Sequence, residues 1–122
     1  MKILIIDDNK DLTKMFKQYF TKTGNTCVVS NDGPSGLLIL QSQKFEVIIL
    51  DLAMPDFSGK DVVEELRNNG KIKDNNIVCL TASSPSNEEE EEVIAMGVKK
   101  VLRKPIDPDV LLDFIKQFEA KS

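Results

Sequence analysis

The sequence predicts an α/β protein built on a five-stranded parallel sheet with helices on both faces. Short apolar segments rich in Ile, Val and Leu alternate with longer segments whose apolar residues recur every three to four positions. One of the short segments, Val47–Leu50, contains no polar residue, which is typical of a strand buried on both faces of a parallel sheet. Each connection is long enough to hold a helix, so neighbouring strands can run parallel with helices on both sides.

The alternation gives five strands, each followed by a helix. The predicted helices carry apolar stripes at a spacing of three and four residues, as amphipathic helices do. The predicted strands cover residues 2–7, 26–30, 47–50, 76–81 and 98–102.

Capping residues and glycines mark the ends of the predicted helices. Ser58 and Asp61 have the spacing of a capping box. Pro34 and Pro108 lie near helix starts, where proline is favoured because its missing N–H would have no partner anyway. Glycines that can end helices by adopting a positive φ occur at positions 24, 70 and 97.

The run of glutamates at residues 88–92 allows two interpretations. A block of like charges can be an interaction tail, or it can be the solvated face of a helix. The first members of the run lie where the helix macrodipole favours acids. We therefore expect a solvated helix face.

The length of the chain, 122 residues, is that of one average domain, so we expect a single domain over residues 1–122. Hydrophobic residues make up 41% of the chain and charged residues 30%, the usual balance of a globular protein. No apolar run approaches the roughly 18 residues of a membrane span, and the start of the chain lacks the features of a signal peptide. We expect a cytoplasmic protein that does not bind membranes.

The composition also argues against several functions. The net charge of −4 disfavours direct binding of nucleic acid, which needs a clustered basic face. The chain has no histidine, which excludes Ser-His-Asp and Cys-His nucleophile systems and leaves oxygen-ligand sites for Mg²⁺ or Ca²⁺ as the expected metal chemistry. Cys27 and Cys79 each lie in an apolar segment, so we expect buried thiols.

The third predicted strand ends on the carboxylate of Asp51. Pro55 and Gly59 follow and oppose further regular pairing, which places Asp51 at the carboxyl end of the strand. Ligands of open α/β sheets bind at that edge. On position alone, Asp51 could equally cap a turn, and the ends of the other strands favour a functional role.

Acids, a hydroxyl and an amine follow the other strands. Asp7 and Asp8 come after the first strand, Thr81 ends the fourth, and Lys104-Pro105 follows the fifth. All these groups converge because parallel strands end at the same edge. Close carboxylates raise one another's pKa unless a cation lies among them, which favours a divalent oxygen-ligand site. Mg²⁺ fits better than Ca²⁺, whose loops concentrate their ligands locally.

This set of groups suits phosphoryl transfer to a carboxylate. Asp51 would be the nucleophile, and Lys104 and Thr81 would stabilise the charge on the transferred phosphoryl oxygens. A carboxylate is already deprotonated near pH 7, so the reaction needs no separate general base.

Four motifs together resemble the response-regulator receiver domain of two-component signalling. The resemblance covers essentially the whole chain, and it implies a flavodoxin-like, doubly wound sheet of strand order 2-1-3-4-5 with five helices. The motifs are Asp7-Asp8, Asp51-Leu52-Ala53-Met54-Pro55, Thr81-Ala82 and Lys104-Pro105.

The resemblance implies a role for each residue of the site. It makes Asp51 the phosphoacceptor, with Thr81 and Lys104 contacting the phosphoryl group. The implied Mg²⁺ ligands are Asp8, Asp51 and the main-chain carbonyl of Ala53, with Asp7 acting through water. The Lys104–Pro105 peptide is expected to be cis.

Partners and regulation also follow from the resemblance. It implies a histidine kinase or phosphotransfer protein as phosphodonor, and a downstream protein target that binds helix four, strand five and helix five. The chain would be a monomer or weak dimer, and it would assist its own phosphorylation and dephosphorylation without being a true enzyme. The implied strand order separates Cys27 and Cys79 by roughly 14 Å, so no disulfide is expected.

One position departs from the family pattern. The usual aromatic switch residue, three positions before the phosphoryl-contacting lysine, is Val101 here. A valine has few rotamers and little reach. We therefore expect the loop at residues 82–87 to carry the change to helix four.

Three other functions are weighed against the sequence. A flavin-binding protein of the same fold would need a phosphate loop rich in Ser, Thr and Gly, where Asp7-Asp8-Asn9 stands. An aspartyl-phosphate phosphatase would need a second acid at Ala53. A binding module that is never phosphorylated is disfavoured by the intact acid set.

Overall fold

Five parallel strands form one sheet in the order β2-β1-β3-β4-β5, which confirms the predicted flavodoxin-like topology. The computed structural model describes residues 1–82 and 87–120. The strands are β1 (Lys2–Ile6), β2 (Thr26–Ser30), β3 (Val47–Leu50), β4 (Ile77–Thr81) and β5 (Lys100–Arg103). The helices are α1 (Lys10–Lys22), α2 (Gly33–Ser42), α3 (Gly59–Asn68), α4 (Asn87–Met96) and α5 (Pro108–Ile115), with 3₁₀ turns at Ile72–Asp74 and Lys116–Phe118.

The sheet separates two apolar layers, because successive side chains of a strand point to opposite faces. Leu4 and Ile6 of β1 face α2, α3 and α4, whereas Ile3 and Ile5 face α1 and α5. All four side chains are buried, as are those of β3. The sheet is covered by helices on both faces, which explains why the sequences of β1 and β3 are nearly continuous apolar runs.

The predicted start of the fifth strand was wrong by two residues. The N–H of Val98 donates to the carbonyl of Val93, at 3.1 Å, and so completes the C-terminal turn of α4. Gly97 has a φ of 121°, the conformation that this helix ending requires. β5 consequently begins only at Lys100.

Local signals in the sequence correctly mark three helix starts. Ser58 and Asp61 form the predicted capping box, with bonds of 2.9 and 3.2 Å between main-chain N–H groups and side-chain oxygens. Asp32 caps α2, and Asp107 precedes the proline that begins α5. Among the described residues, no helix has the length and apolar character that crossing a membrane requires.

The glutamate run lies on α4, as expected for a solvated helix face. Members of the run form ion pairs with neighbouring elements. Glu92 lies 2.7 Å from the amine of Lys60 on α3, and Glu90 lies 2.9 Å from the guanidinium of Arg103 on β5. Exposed pairs of this kind contribute about 1 kcal/mol or less each.

Both cysteines are buried free thiols, as expected. Burial raises the pKa of Cys27 to about 11 and that of Cys79 to about 12. At neutral pH both are therefore protonated and poorly nucleophilic.

The carboxylate of Glu46 fastens the amino edge of the sheet. Its two oxygens accept the main-chain N–H groups of Lys2 and Ala120, and its main-chain carbonyl accepts a bond of 2.9 Å from the Asn76 amide. The pKa of Glu46 lies below its usual value, chiefly because the N–H of Ala120 stabilises the charged form, while burial acts in the opposite direction. This one side chain joins segments from both ends of the described chain.

We expect Glu46→Gln to lower the free energy of unfolding at pH 7 by about 1 kcal/mol, because the amide accepts only one of the two N–H bonds. Because the pKa of Glu46 is lowered by folding, its ionised form stabilises the folded protein at pH values above its usual pKa of 4.5. This contribution is lost as the pH falls through the lowered pKa of the folded state. Urea unfolding from pH 7 to pH 3 would measure this. The difference from the parent should shrink with falling pH, while Glu65→Gln, an exposed acid on α3, should match the parent throughout. A pH-independent loss would contradict the assignment.

Candidate functional site

The carboxyl edge of the sheet brings together the residues predicted to form the site. Asp7 follows β1, Asp51 follows β3, Thr81 ends β4, and Lys104 follows β5. Asp8 lies next to Asp7, and one carboxylate oxygen from each of the three acids lies within 4.8 Å of the other two. The predicted acidic pocket is confirmed.

Lys104 connects Asp7 and Asp51 through its partly buried ammonium group. Its Nζ lies 2.7 Å from Asp7 Oδ2 and 3.7 Å from Asp51 Oδ2. Its main-chain N–H donates to the carbonyl of Thr81 at 2.8 Å, and its peptide bond to Pro105 is cis, as expected. The sequence did not indicate that Asp7 would be the nearest acid to this ammonium.

Asp51 is a desolvated carboxylate. Burial raises its pKa above the usual value. The N–H of Ala53, which donates to Asp51 Oδ1 at 3.1 Å, opposes this shift, and so does the Lys104 charge. The negative charges of Asp7 and Asp8 add to the increase. The ionised form of Asp51 therefore lacks full electrostatic compensation, a need that a cation would meet.

The donor set fits Mg²⁺. It consists of carboxylate oxygens, the ligands that this hard cation prefers, and one of the acids, Asp8, is exposed and so can be reached from solvent. Ala53 is also exposed, while Thr81 is fully buried at the end of β4. The individual roles of these residues remain predictions.

Gly59 supports the loop that carries Asp51, a role that sequence reasoning missed. The main-chain N–H of Gly59 donates to the carbonyl of Leu52 at 3.2 Å. A Cβ atom at Gly59 would lie 2.2 Å from the carbonyl oxygen of Asp51 and 2.7 Å from the Leu52 Cα. Only glycine lets the start of α3 approach this closely. The sequence signal was a glycine directly after the capping Ser58.

Asn31 is a second residue that the sequence analysis missed. Its side-chain Nδ2 donates to the main-chain carbonyl of Asp7 at 2.9 Å and to the hydroxyl of Thr13 at 3.1 Å. Nothing in the spacing of an asparagine after β2 signals these contacts. They tie the first acid of the site to α1 and to the β2–α2 turn.

Val101, at the position of the missing aromatic residue, is buried in the layer formed with α2, α3 and α4. The loop predicted to carry the change to helix four spans residues 82–87. Residues 83–86 lie outside the described part of the chain, so that prediction stays untested.

Comparison with known proteins identifies a family. The response regulator receiver domain matches residues 3–116. The chain is 30% identical over 118 residues to the uncharacterized transcriptional regulatory protein YclJ of Bacillus subtilis, covering 95% of this chain and 49% of that protein. It is 26% identical to the probable transcriptional regulator ycf29 of Pyropia yezoensis, covering 98% of this chain and 54% of that protein. The chain thus spans about half the length of these curated relatives.

A solved structure agrees with these matches over the whole fold. The structure of the chemotaxis protein CheY4 of Vibrio cholerae superposes with a TM-score of 0.87 at 30% sequence identity. The alignment covers 97% of this chain and 98% of that one.

Removal of the Asp51 charge should stabilise the metal-free protein. Because the pKa of Asp51 in the folded protein lies above its usual value of 3.8, ionisation of this carboxyl group destabilises the fold. Stability is therefore lost as the pH rises through the folded-state pKa. We expect Asp51→Asn to raise the thermal midpoint at pH 7 in EDTA by a few degrees Celsius.

The control is Asp56→Asn, which removes an exposed acid whose φ of 63° asparagine also tolerates. Thermal unfolding followed by circular dichroism should show a gain for Asp51→Asn alone, and the gain should disappear near pH 3. Equal gains in both variants would contradict the desolvation of Asp51.

Proposed function

The chain belongs to the response regulator receiver domain family, and from this premise we propose that it accepts a phosphoryl group on Asp51 in a Mg²⁺-dependent reaction. The donor would be a histidine kinase or a phosphotransfer protein. The observation that carries the proposal is the position of Asp51, whose carboxylate lies within 4.8 Å of two other acids and 3.7 Å from the Lys104 ammonium. A receiver domain is a signalling phosphoacceptor rather than a classical enzyme.

The chemistry assigned to Asp51 is nucleophilic. An oxygen of Asp51 forms a bond to phosphorus while the bond between phosphorus and the donor atom breaks, and the donor leaves with the electron pair. Charge spreads over three equatorial oxygens of the transferred group. We assign Lys104 to the neutralisation of that charge and the hydroxyl of Thr81 to hydrogen bonding with one of the oxygens.

The proposed metal ligands are the carboxylates of Asp8 and Asp51 and the main-chain carbonyl of Ala53, with Asp7 acting through water. When bound, Mg²⁺ would neutralise charge on the carboxylates and on the phosphoryl oxygens. The raised pKa of Asp51 supports this assignment, because burial and the neighbouring acids disfavour its ionised form. Lys104, already 2.7 Å from Asp7, offsets only part of the negative charge of the three acids.

We assign residues 1–122 to one receiver domain and its output to the face formed by α4, β5 and α5. A downstream protein would bind this face, and the chain itself would be a monomer or weak dimer. Two exposed ion pairs support α4 as the element that moves, since they hold it to its neighbours only weakly. One of them uses Arg103, the residue directly before Lys104.

This arrangement suggests a route that does not need an aromatic residue at position 101. Lys104 reaches the acids of the site, whereas Arg103 reaches Glu90 on α4 at 2.9 Å. A shift of the β5 end towards a phosphoryl group would therefore change the pairing of Arg103 with α4. We propose that this change in the pairing of Arg103, together with the loop at residues 82–87, repositions α4.

We expect incubation with acetyl phosphate and Mg²⁺ to add one phosphoryl group, detected by intact-mass measurement. Asp51→Asn should abolish the addition, because an amide is not a nucleophile for this transfer. Asp56→Asn should be labelled like the parent, and EDTA should suppress labelling of both. Undiminished labelling of Asp51→Asn would contradict the assignment of Asp51 as the phosphoacceptor.

We expect beryllofluoride with Mg²⁺ to shift backbone NMR resonances of α4 and β5 as well as those next to Asp51. In Arg103→Gln the shifts on α4 should be smaller, while those near Asp51 persist, because only the pairing with Glu90 is lost. Lys100→Gln, an exposed change on the same strand, is the matched control. Shifts confined to the neighbours of Asp51 in the parent would reject this route and leave the phosphoacceptor assignment intact.

A further inference from the structure

The amide of Asn31 joins three elements of the fold near the acidic pocket. It belongs to the turn between β2 and α2 and uses its Nδ2 for two bonds, one to the Asp7 carbonyl and one to the Thr13 hydroxyl of α1. A carbonyl accepts only from a donor, which fixes the orientation of the amide. Thr13 is buried, and its hydroxyl donates onward to the carbonyl of Lys10 at 3.1 Å.

These bonds act where the β1–β2 ladder ends. The last pair of the ladder is Ile6 with Ser30, and the N–H of Asp7 still donates to the Ser30 carbonyl at 3.0 Å. The next acceptor, the Asp7 carbonyl, receives the Asn31 side chain instead of a strand. That carbonyl belongs to the Asp7–Asp8 peptide, so Asn31 fixes the plane from which the Asp8 side chain departs.

Asp8 needs such a restraint. Its side chain is exposed, yet one of its oxygens lies within 4.8 Å of oxygens on Asp7 and Asp51. Like charges repel, so an unrestrained Asp8 would turn towards solvent in the metal-free protein. A fixed Asp7–Asp8 peptide plane sets the position of the Asp8 Cα, from which the carboxylate can reach Asp7 and Asp51 before a cation arrives.

We propose that Asn31 is a positioning residue for the Mg²⁺ site, which holds the Asp7–Asp8 peptide so that the Asp8 carboxylate is already oriented towards Asp51. This inference rests on the proposed function, because it assigns Asn31 to the same site. Supporting residues that orient metal ligands typically change metal affinity 10- to 100-fold when they are replaced.

The test compares Asn31→Ala and Asn31→Leu with the parent protein. Leucine keeps the branched shape of asparagine and loses both donors, so it also serves if Asn31→Ala does not fold. We expect the Mg²⁺ dissociation constant, from an NMR titration with MgCl₂, to rise about 10-fold or more. The rate of phosphorylation by acetyl phosphate at saturating Mg²⁺ should be retained, because the side-chain bonds of Asn31 go to the Asp7 carbonyl and the Thr13 hydroxyl and not to the Asp51 carboxylate.

Two further variants sharpen the test. Thr13→Val removes one of the two Asn31 contacts and should weaken Mg²⁺ binding less than either Asn31 variant. Asn68→Ala changes an exposed asparagine at the end of α3 and should bind Mg²⁺ like the parent.

The outcomes separate this inference from the proposed function. Unchanged Mg²⁺ affinity in a folded Asn31 variant would overturn the inference and leave Asp51 as phosphoacceptor. A lower rate at saturating Mg²⁺ with unchanged affinity would also overturn it, since Asn31 would then act on the transfer itself. A parent protein that binds no Mg²⁺ would overturn both.

Discussion

The main constraint on the site is that one oxygen from each of three carboxylates lies within 4.8 Å of the other two at one edge of the sheet. Such a cluster is unfavourable by itself, and no single segment of the chain creates it. Asp7 and Asp8 follow β1 and Asp51 follows β3, and the parallel arrangement makes both strands end at the same edge of the sheet. The Lys104 ammonium then compensates part of the charge from the end of β5. Topology and electrostatics are therefore coupled: the fold supplies the proximity, and the site remains short of positive charge.

The sequence predicts this proximity because strand ends can be located from composition alone. Apolar runs that stop at an acid, a threonine or a lysine identify the edge where the groups must meet. The contacts between side chains are different. The Lys104–Asp7 pair joins residues 97 positions apart, and the Asn31–Asp7 bond joins residues 24 positions apart. A local sequence pattern therefore cannot predict either contact. The crowding at Gly59 could not be predicted from the sequence for the same reason, since it arises only when α3 packs against the loop after β3. The late start of β5 could not be predicted because the N–H of Val98 bonds to the end of α4 instead of to a neighbouring strand.

The described structure distributes its stability unevenly around the sheet. β1, β3 and β4 are buried on both faces, whereas α4 meets its neighbours partly through solvent-exposed ion pairs with Lys60 and Arg103. Buried strands resist displacement because each side chain is close-packed. Exposed ion pairs exchange readily because water competes for both partners. Val101 on β5 is buried, whereas Arg103 on the same strand is exposed and pairs with α4.

The hydrogen bonds of Glu46 connect several segments at the amino edge of the sheet. Its carboxylate anchors Lys2 and Ala120 at the amino edge, while its main chain is bonded to Lys2 and Asn76. The bonds of Glu46 thus link the starts of β1, β3 and β4, while the acids of the site lie at the opposite edge of the sheet. A lengthwise displacement of β1 or β4 against β3 would break these bonds as well as the ladders between the strands.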